Sequence, residues 1–260
     1  MLNRKALFFD IDGTIWDINN NICDSTVRAI RKLRERGCLT FICSGRSRAY
    51  ITNPKLLELG FDGIISGCGT MIEYNGETVF YHNMEKEFAD YVIGTVRKYG
   101  FKPILEGREY LYFDDEDFAG DVYGEKLRRE LGDRLKTIKD NDYDIVKLSC
   151  ATIGVTVDEC KKELGDFFEF IIHNERVVEM VPKGFSKATG IKYICDMLNI
   201  SLENTYAFGD SANDMEMLKI AGKSIVMGNG TDDVKAIADY VTTAVNDDGI
   251  WNACRFFNLI

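Results

Sequence analysis

Short apolar runs alternate with amphipathic stretches at both ends of this 260-residue chain, and the alternation lapses in between. Residues 5–9 (KALFF), 38–43 (CLTFIC) and 63–66 (GIIS) predict short buried strands. Asp24 is expected to cap a helix that carries Val27, Ile30 and Leu33 on one face and stops at Gly37. A second helix is expected through Leu56, Leu57 and Leu59. Strand, helix, strand, helix, strand is the pattern of a parallel sheet with helices on its faces. A hairpin over 70–81 follows, with Asn75-Gly76 as its tight turn.

From about residue 83 the pattern changes. A helix over 85–99 leads to two short strands around Glu106-Gly107 and a charged helix near 120–132. A strand over 144–150, a helix over 157–165 and a hairpin turning at Asn174-Glu175 complete an α+β segment. After Pro182 the alternation returns as helix 186–198, strand 204–208, helix 213–220, strand 224–227, helix 232–238 and strand 240–243. The expected organisation is an α/β domain made of 1–82 and 183–260, with an α+β domain, 83–182, inserted into it.

Charge and cysteine usage narrow the function. The chain sets 32 Lys and Arg against 42 Asp and Glu, a net charge of −10, which argues against a nucleic-acid partner. No stretch approaches the roughly 20 apolar residues of a membrane span. Arg4, Lys5, Asp10 and Asp12 leave no room for the apolar region of a signal peptide. The eight cysteines are scattered with no CxxC pair, so they read as reduced core residues of a cytoplasmic protein. With only His82 and His173 and no HExxH motif, the carboxylates must carry the chemistry.

Four motifs each sit at or near a chain turn where such chemistry can gather. Asp10-Ile11-Asp12-Gly13-Thr14 ends the first strand, and ligands bind at the carboxyl ends of strands in open α/β sheets. Two carboxylates one residue apart can divide labour there, one as nucleophile and the other as proton carrier. Ser44-Gly45-Arg46 ends the second strand and offers a hydroxyl and main-chain N–H groups to an anion. Lys187 lies at a helix start, where a cation opposes the helix dipole and a phosphate would give it a reason to be. Asp210 and Asp214 are placed one helical turn apart after the run TYAF, a spacing of hard oxygen ligands that suits Mg2+.

With these motifs in this order, the chain resembles the haloacid dehalogenase superfamily of phosphohydrolases, specifically its Cof-type group. The segments that carry the likeness are DIDGT (10–14), CSGR (43–46), KGFSK (183–187) and FGDSANDMEML (208–218), and they span the whole chain. The resemblance implies a Rossmann-like doubly wound parallel-sheet core and an inserted α+β cap that sets substrate specificity. It implies Asp10 as the nucleophile that becomes an aspartyl-phosphate, and Asp12 as the acid for the leaving alcohol and the base for water. Thr14, Ser44, Gly45, Arg46, Lys187 and Asn213 match the phosphate- and substrate-binding positions. Mg2+ is implied on Asp10, the Asp12 carbonyl and Asp210, with Asp214 in support.

One position departs from the family pattern: Cys68 stands in Ser66-Gly67-Cys68-Gly69-Thr70 where Asn is usual. The expected activity is a Mg2+-dependent phosphatase of small phosphate esters, sugar phosphates foremost, in a monomer or weak homodimer. A phosphomutase of the phosphomannomutase type and a non-catalytic phospholigand-binding protein remain as alternatives. In the cap, Tyr110, Tyr112, Phe113 and Tyr123 can either stack on a sugar or fill the core.

Overall fold

The computed structural model describes residues 4–119, 122–174 and 176–260. They form two compact units, one made of the chain up to Gly45 with Thr52–Phe80 and Ser186–Ile260, the other of Arg46–Ile51 and Tyr81–Phe185.

The first unit opens with β1 (Ala6–Phe9), α1 (Asp24–Glu35), β2 (Leu39–Cys43), a one-turn α2 (Pro54–Leu57) and β3 (Gly63–Ser66). The hairpin of β4 (Met71–Tyr74) and β5 (Glu77–Tyr81) turns at Asn75 and Gly76, whose φ angles of 51° and 81° suit the tight turns that follow strand twist. In the second unit come α3 (Lys86–Lys98), β6 (Lys102–Glu106), β7 (Leu111–Tyr112), α4 (Val122–Leu131), β8 (Leu135–Lys136), β9 (Lys147–Ala151), α5 (Asp158–Leu164), β10 (Phe168–Asn174) and β11 (Val177–Pro182). The chain then completes the first unit with α6 (Lys187–Leu198), β12 (Thr205–Gly209), α7 (Met215–Ile220), β13 (Lys223–Val226), α8 (Asp232–Lys235), β14 (Tyr240–Val241) and α9 (Gly249–Phe256).

The first unit holds an eight-stranded sheet in the order β14-β13-β12-β1-β2-β3-β4-β5. It is parallel from β14 to β3 and antiparallel from β3 to β4. Every residue of β1 and β2 is buried, as both-face coverage of a parallel sheet requires. This is the α/β core the alternation predicts, doubly wound as the resemblance implies.

The second unit builds a six-stranded sheet, β10-β11-β9-β6-β7-β8, antiparallel except between β7 and β8. Its strand alternation separates two environments. Leu105, Leu148, Cys150, Val178 and Met180 pack with α3 and α5. On the opposite face Lys147 is buried between Glu106 and Glu179, its Nζ 2.9 and 2.6 Å from their carboxylates. Tyr112 packs in the first of these environments and Phe113 with Ile104, Leu111 and Phe118, so both are core residues, 3% and 2% exposed.

Several local expectations are corrected. Cys23, not Asp24, takes the N-cap of α1, and Val27 is exposed because the buried stripe runs through Thr26, Ala29, Ile30 and Leu33. The helix through Leu56, Leu57 and Leu59 shrinks to one turn begun by Pro54, preceded by a 3-10 turn at Arg48–Tyr50. Arg46–Ile51, expected within the first unit, packs with the second: Ser47 N–H donates to Glu106 Oε2 (3.3 Å) and Ala49 N–H to the Gly107 carbonyl (3.4 Å). The expected helix at 213–220 starts only at Met215, after a 3-10 turn. The start of the helix near 120 and the turn residue Glu175 lie outside the described residues. Strand β8 and helix α9 were not expected. No helix among the described residues is long and apolar enough to cross a membrane.

Candidate active site

Strand order places the site. After β1 the chain moves outward through β2 and β3, whereas β12 is followed by β13 and β14 on the other side. The loops leaving β1 and β12 therefore diverge, and the crevice at such a switch point is where open α/β sheets bind ligands.

Asp10 is the first residue beyond β1 and is held in register by its N–H, which donates to the Phe208 carbonyl of β12 (2.9 Å). The next residues close a tight turn in which the Ile11 carbonyl accepts N–H groups from Thr14, Ile15 and Trp16. Gly13 takes a φ of +78°, and a Cβ there would come within 2.4 Å of Asp210 Oδ2, so both conformation and space demand glycine. The Asn229 side-chain amide donates to the Gly13 carbonyl (2.8 Å). Thr14 sets its hydroxyl 3.4 Å from Asp210 Oδ1.

From α6, Lys187 reaches the same place. Ser186 and Thr189 form a reciprocal capping box, which satisfies the helix start and turns the first helical side chain inward. The Lys187 side chain is 1% exposed, and its ammonium lies 2.6 Å from Asp10 Oδ1, 2.6 Å from Asp214 Oδ1 and 3.4 Å from Asn213 Oδ1. The other Asp214 oxygen accepts the N–H groups of Asp210 and Ser211 (2.9 and 3.1 Å), so Asp214 holds both the lysine and its own loop. Ser211 donates its hydroxyl to Asn213 Oδ1 (3.0 Å).

The electrostatics follow from one ammonium among three carboxylates. Burial raises Asp10 well above the usual carboxylate range; Lys187 opposes this, while Asp214 and Asp210 add to it. Burial, then the Asp214 charge, pushes Asp210 up to about 7. Burial works against the Lys187 ammonium, but Asp10 and Asp214 outweigh it and hold the group above the ordinary lysine value. Lys187 stays charged and cannot neutralise all three acids, so the site is short of positive charge. Oxygens of Asp10, Asp210 and Asp214 all lie within 4.8 Å of one another, a hard donor set that fits a divalent cation such as Mg2+.

The structure thus brings together Asp10, Thr14, Lys187, Asp210, Asn213 and Asp214. The Asp12 carboxylate is exposed and stands outside that acidic trio, accepting the Trp16 indole N–H at 2.9 Å. Ser44 is buried at the end of β2, beside β1, where its N–H donates to the Ile65 carbonyl and its carbonyl accepts the Cys68 N–H. Gly45 ends the same stretch of the first unit. Arg46 belongs to the second unit, its guanidinium 4.6 Å over the Tyr50 ring. Sequence reasoning missed Trp16 and Asn229. A tryptophan four residues after Asp12 was a usable cue; nothing local marks Asn229, 216 positions from Gly13.

A family model described as haloacid dehalogenase-like hydrolase matches residues 7–254. YkrA of Bacillus subtilis (strain 168), named provisionally as a phosphatase, is 33% identical over 266 residues, covering 100% of both chains. A phosphoglycolate phosphatase of Methanobrevibacter smithii is 29% identical, covering 99% of this chain and 100% of that one. Among solved structures, the sugar phosphatase BT4131, described as haloacid dehalogenase subclass IIB, is similar with a TM-score of 0.80 at 28% identity, over 98% of this chain and 100% of that one.

Proposed function

Because the chain belongs to the haloacid dehalogenase-like hydrolase family, we propose that it is a Mg2+-dependent phosphatase of small phosphorylated metabolites, sugar phosphates foremost. The observation that carries this reading is Asp10 at the end of the central strand, paired with the buried Lys187 beside Asp210. The sugar-phosphate preference draws on the likeness to a sugar phosphatase across nearly the whole chain.

When bound by Asp10, Asp210 and the Asp12 carbonyl, with Asp214 in support, Mg2+ would supply the positive charge that three carboxylates and a phosphate dianion require. The chain's own residues do the rest. An Asp10 oxygen forms a bond to phosphorus as the bond from phosphorus to the leaving oxygen breaks, and Asp12 gives that oxygen its proton. Water then bonds to phosphorus and loses a proton to Asp12. The Asp10–phosphorus bond breaks, which restores the carboxylate and frees inorganic phosphate. Lys187 holds Asp10 and balances the phosphoryl charge, while Thr14, Ser44, Gly45 and Asn213 bind phosphate and substrate.

The second unit is the specificity-setting cap in this reading. The eight free cysteines support a reducing, cytoplasmic setting and the net charge of −10 the lack of a nucleic-acid partner; a monomer or weak homodimer completes the proposal.

Phosphate release assayed across sugar phosphates, nucleotides and pyridoxal phosphate, with and without Mg2+, tests the proposal. Turnover of sugar phosphates that needs added metal is expected. Isomerised sugar phosphate without free phosphate would make the protein a mutase, and ligand binding without turnover a binding module.

A further inference from the structure

The turn that carries Asp12 also buries a tryptophan, and the two side chains meet. Trp16 is 3% exposed, whereas Asp12, four residues earlier, is exposed. Its indole N–H donates to Asp12 Oδ1 at 2.9 Å. A buried indole N–H needs an acceptor, and the one supplied here is the carboxylate assigned to proton transfer.

The main chain makes the pairing rigid. Trp16 N–H donates to the Ile11 carbonyl (3.2 Å), and the Trp16 carbonyl accepts the Gly13 N–H (2.9 Å). Residues 12 and 16 are bridged along their backbones as well as through their side chains. An indole locked by packing can therefore act as a fixed donor to one Asp12 oxygen. Trp251, the other tryptophan, lies elsewhere, on α9 with Arg28 and Lys32 over its ring at 5.3 and 5.5 Å.

We propose that Trp16 is a positioning residue for Asp12, holding one carboxylate oxygen through its indole N–H so that the carboxyl keeps a single orientation in both proton transfers. The inference rests on the reading of Asp12 as acid and base. An aspartate on a solvated loop otherwise samples several rotamers, and a misplaced catalytic group can cost on the order of 10²-fold in rate. Trp16 itself need not touch substrate.

The half-reactions separate this role from simple packing. A sugar alkoxide is a poor leaving group and needs the acid; p-nitrophenolate does not. Water attack on the phosphorylated enzyme needs the base whatever the substrate was. Trp16→Phe keeps an aromatic ring and loses the N–H. It should lower kcat on a sugar phosphate about 10-fold or more, with KM changed by less than about 2-fold. With p-nitrophenyl phosphate it should give a burst of nitrophenolate approaching one equivalent, then a slowed steady state, with the added phosphoryl group visible by intact mass.

Asp12→Asn, run in parallel, should show the same burst in stronger form. If Asp12→Asn shows the burst and folded Trp16→Phe turns over both substrates at wild-type rates without one, Trp16 only packs and the inference fails alone. If Asp12→Asn itself shows neither loss nor burst, the acid–base reading fails and takes the inference with it. Should Trp16→Phe not fold, 3-benzothienylalanine at position 16 replaces the indole N–H by sulfur at nearly constant shape. Wild-type kinetics in that protein would overturn the proposal.

Discussion

Lys187 lies 177 residues downstream of Asp10, yet its ammonium stands 2.6 Å from the Asp10 carboxylate. The pair is buried, Lys187 2% and Asp10 4% exposed, so neither charge is solvated by water. Burying one ion unpaired costs several kcal/mol, and Asp214 forms a second ion pair with the same ammonium. That arrangement answers the unfavourable meeting of a cation with a helix N-terminus. Two carboxylates offset the dipole more strongly than water could.

Removing that lysine should therefore be costly. Lys187→Met is expected to destabilise the metal-free protein by about 3–5 kcal/mol, because Asp10 and Asp214 are left buried and unpaired. Urea unfolding followed by circular dichroism measures it. Adding Asp214→Asn should recover part of the loss, and a Lys187→Met protein as stable as wild type would contradict the account.

Asp10→Asn should abolish turnover and leave the fold intact. An amide cannot attack phosphorus, and losing a nucleophile typically costs of order 10⁴-fold or more. The far-UV spectrum should match wild type. Residual phosphate release above about one percent in protein free of contaminating phosphatase would remove Asp10 from the nucleophile role.

Asp10 and Asp210, both raised by burial, set the pH dependence together, and Asp210 gives the measurable window. Its carboxyl is pushed up to about 7, above its ordinary 3.8. Between these values the folded protein binds a proton that the unfolded chain does not. Metal-free stability should thus fall as pH rises through that window, and the raised Asp10 carboxyl acts in the same direction. A divalent cation must displace the same proton, so apparent Mg2+ affinity should weaken toward acid, by up to about tenfold per unit below the shifted value. Thermal melts in chelator and calorimetric Mg2+ titrations at about pH 5.5 and about pH 8 check both directions. Affinity that does not change between them would contradict the assignment.

Backbone strain makes a separate prediction. Gly67, Cys68 and Gly69 all have positive φ (55°, 56° and 86°), and Cys68 is the one of the three with a side chain. A left-handed L-residue costs about 1–2 kcal/mol, less for Asn and more when β-branched. Cys68→Asn should stay within about 1 kcal/mol of wild type, while Cys68→Val should lose about 1–3 kcal/mol in chemical denaturation. Equal stability of the two would argue that the loop relaxes.

Much of the fold was legible because its signals are local. Each strand of the parallel core is a short apolar run, and burial on both faces writes that run directly into the sequence. The DIDGT, SGR and GDSAND segments each follow such a run, so their place at strand ends was readable without knowing which strands adjoin. Val27 was misread because three apolar residues fit a helical stripe in more than one phase, and only packing selects the phase. Arg46–Ile51 was assigned by its neighbours in sequence, whereas its N–H groups are satisfied by Glu106 and Gly107.

The order of residues along the chain carries the alternating grammar, the interruption in its middle and the set of side chains able to do phosphoryl chemistry. Which of them meet depends on how the elements pack. The order β12-β1-β2 puts the loop after β12 beside Asp10, and α6 delivers Lys187 between Asp10 and Asp214. The same holds at short range, where the packing of one buried indole aims its N–H at Asp12. Periodicity records which face of an element is buried, but the distance between two side chains depends on how the elements stack.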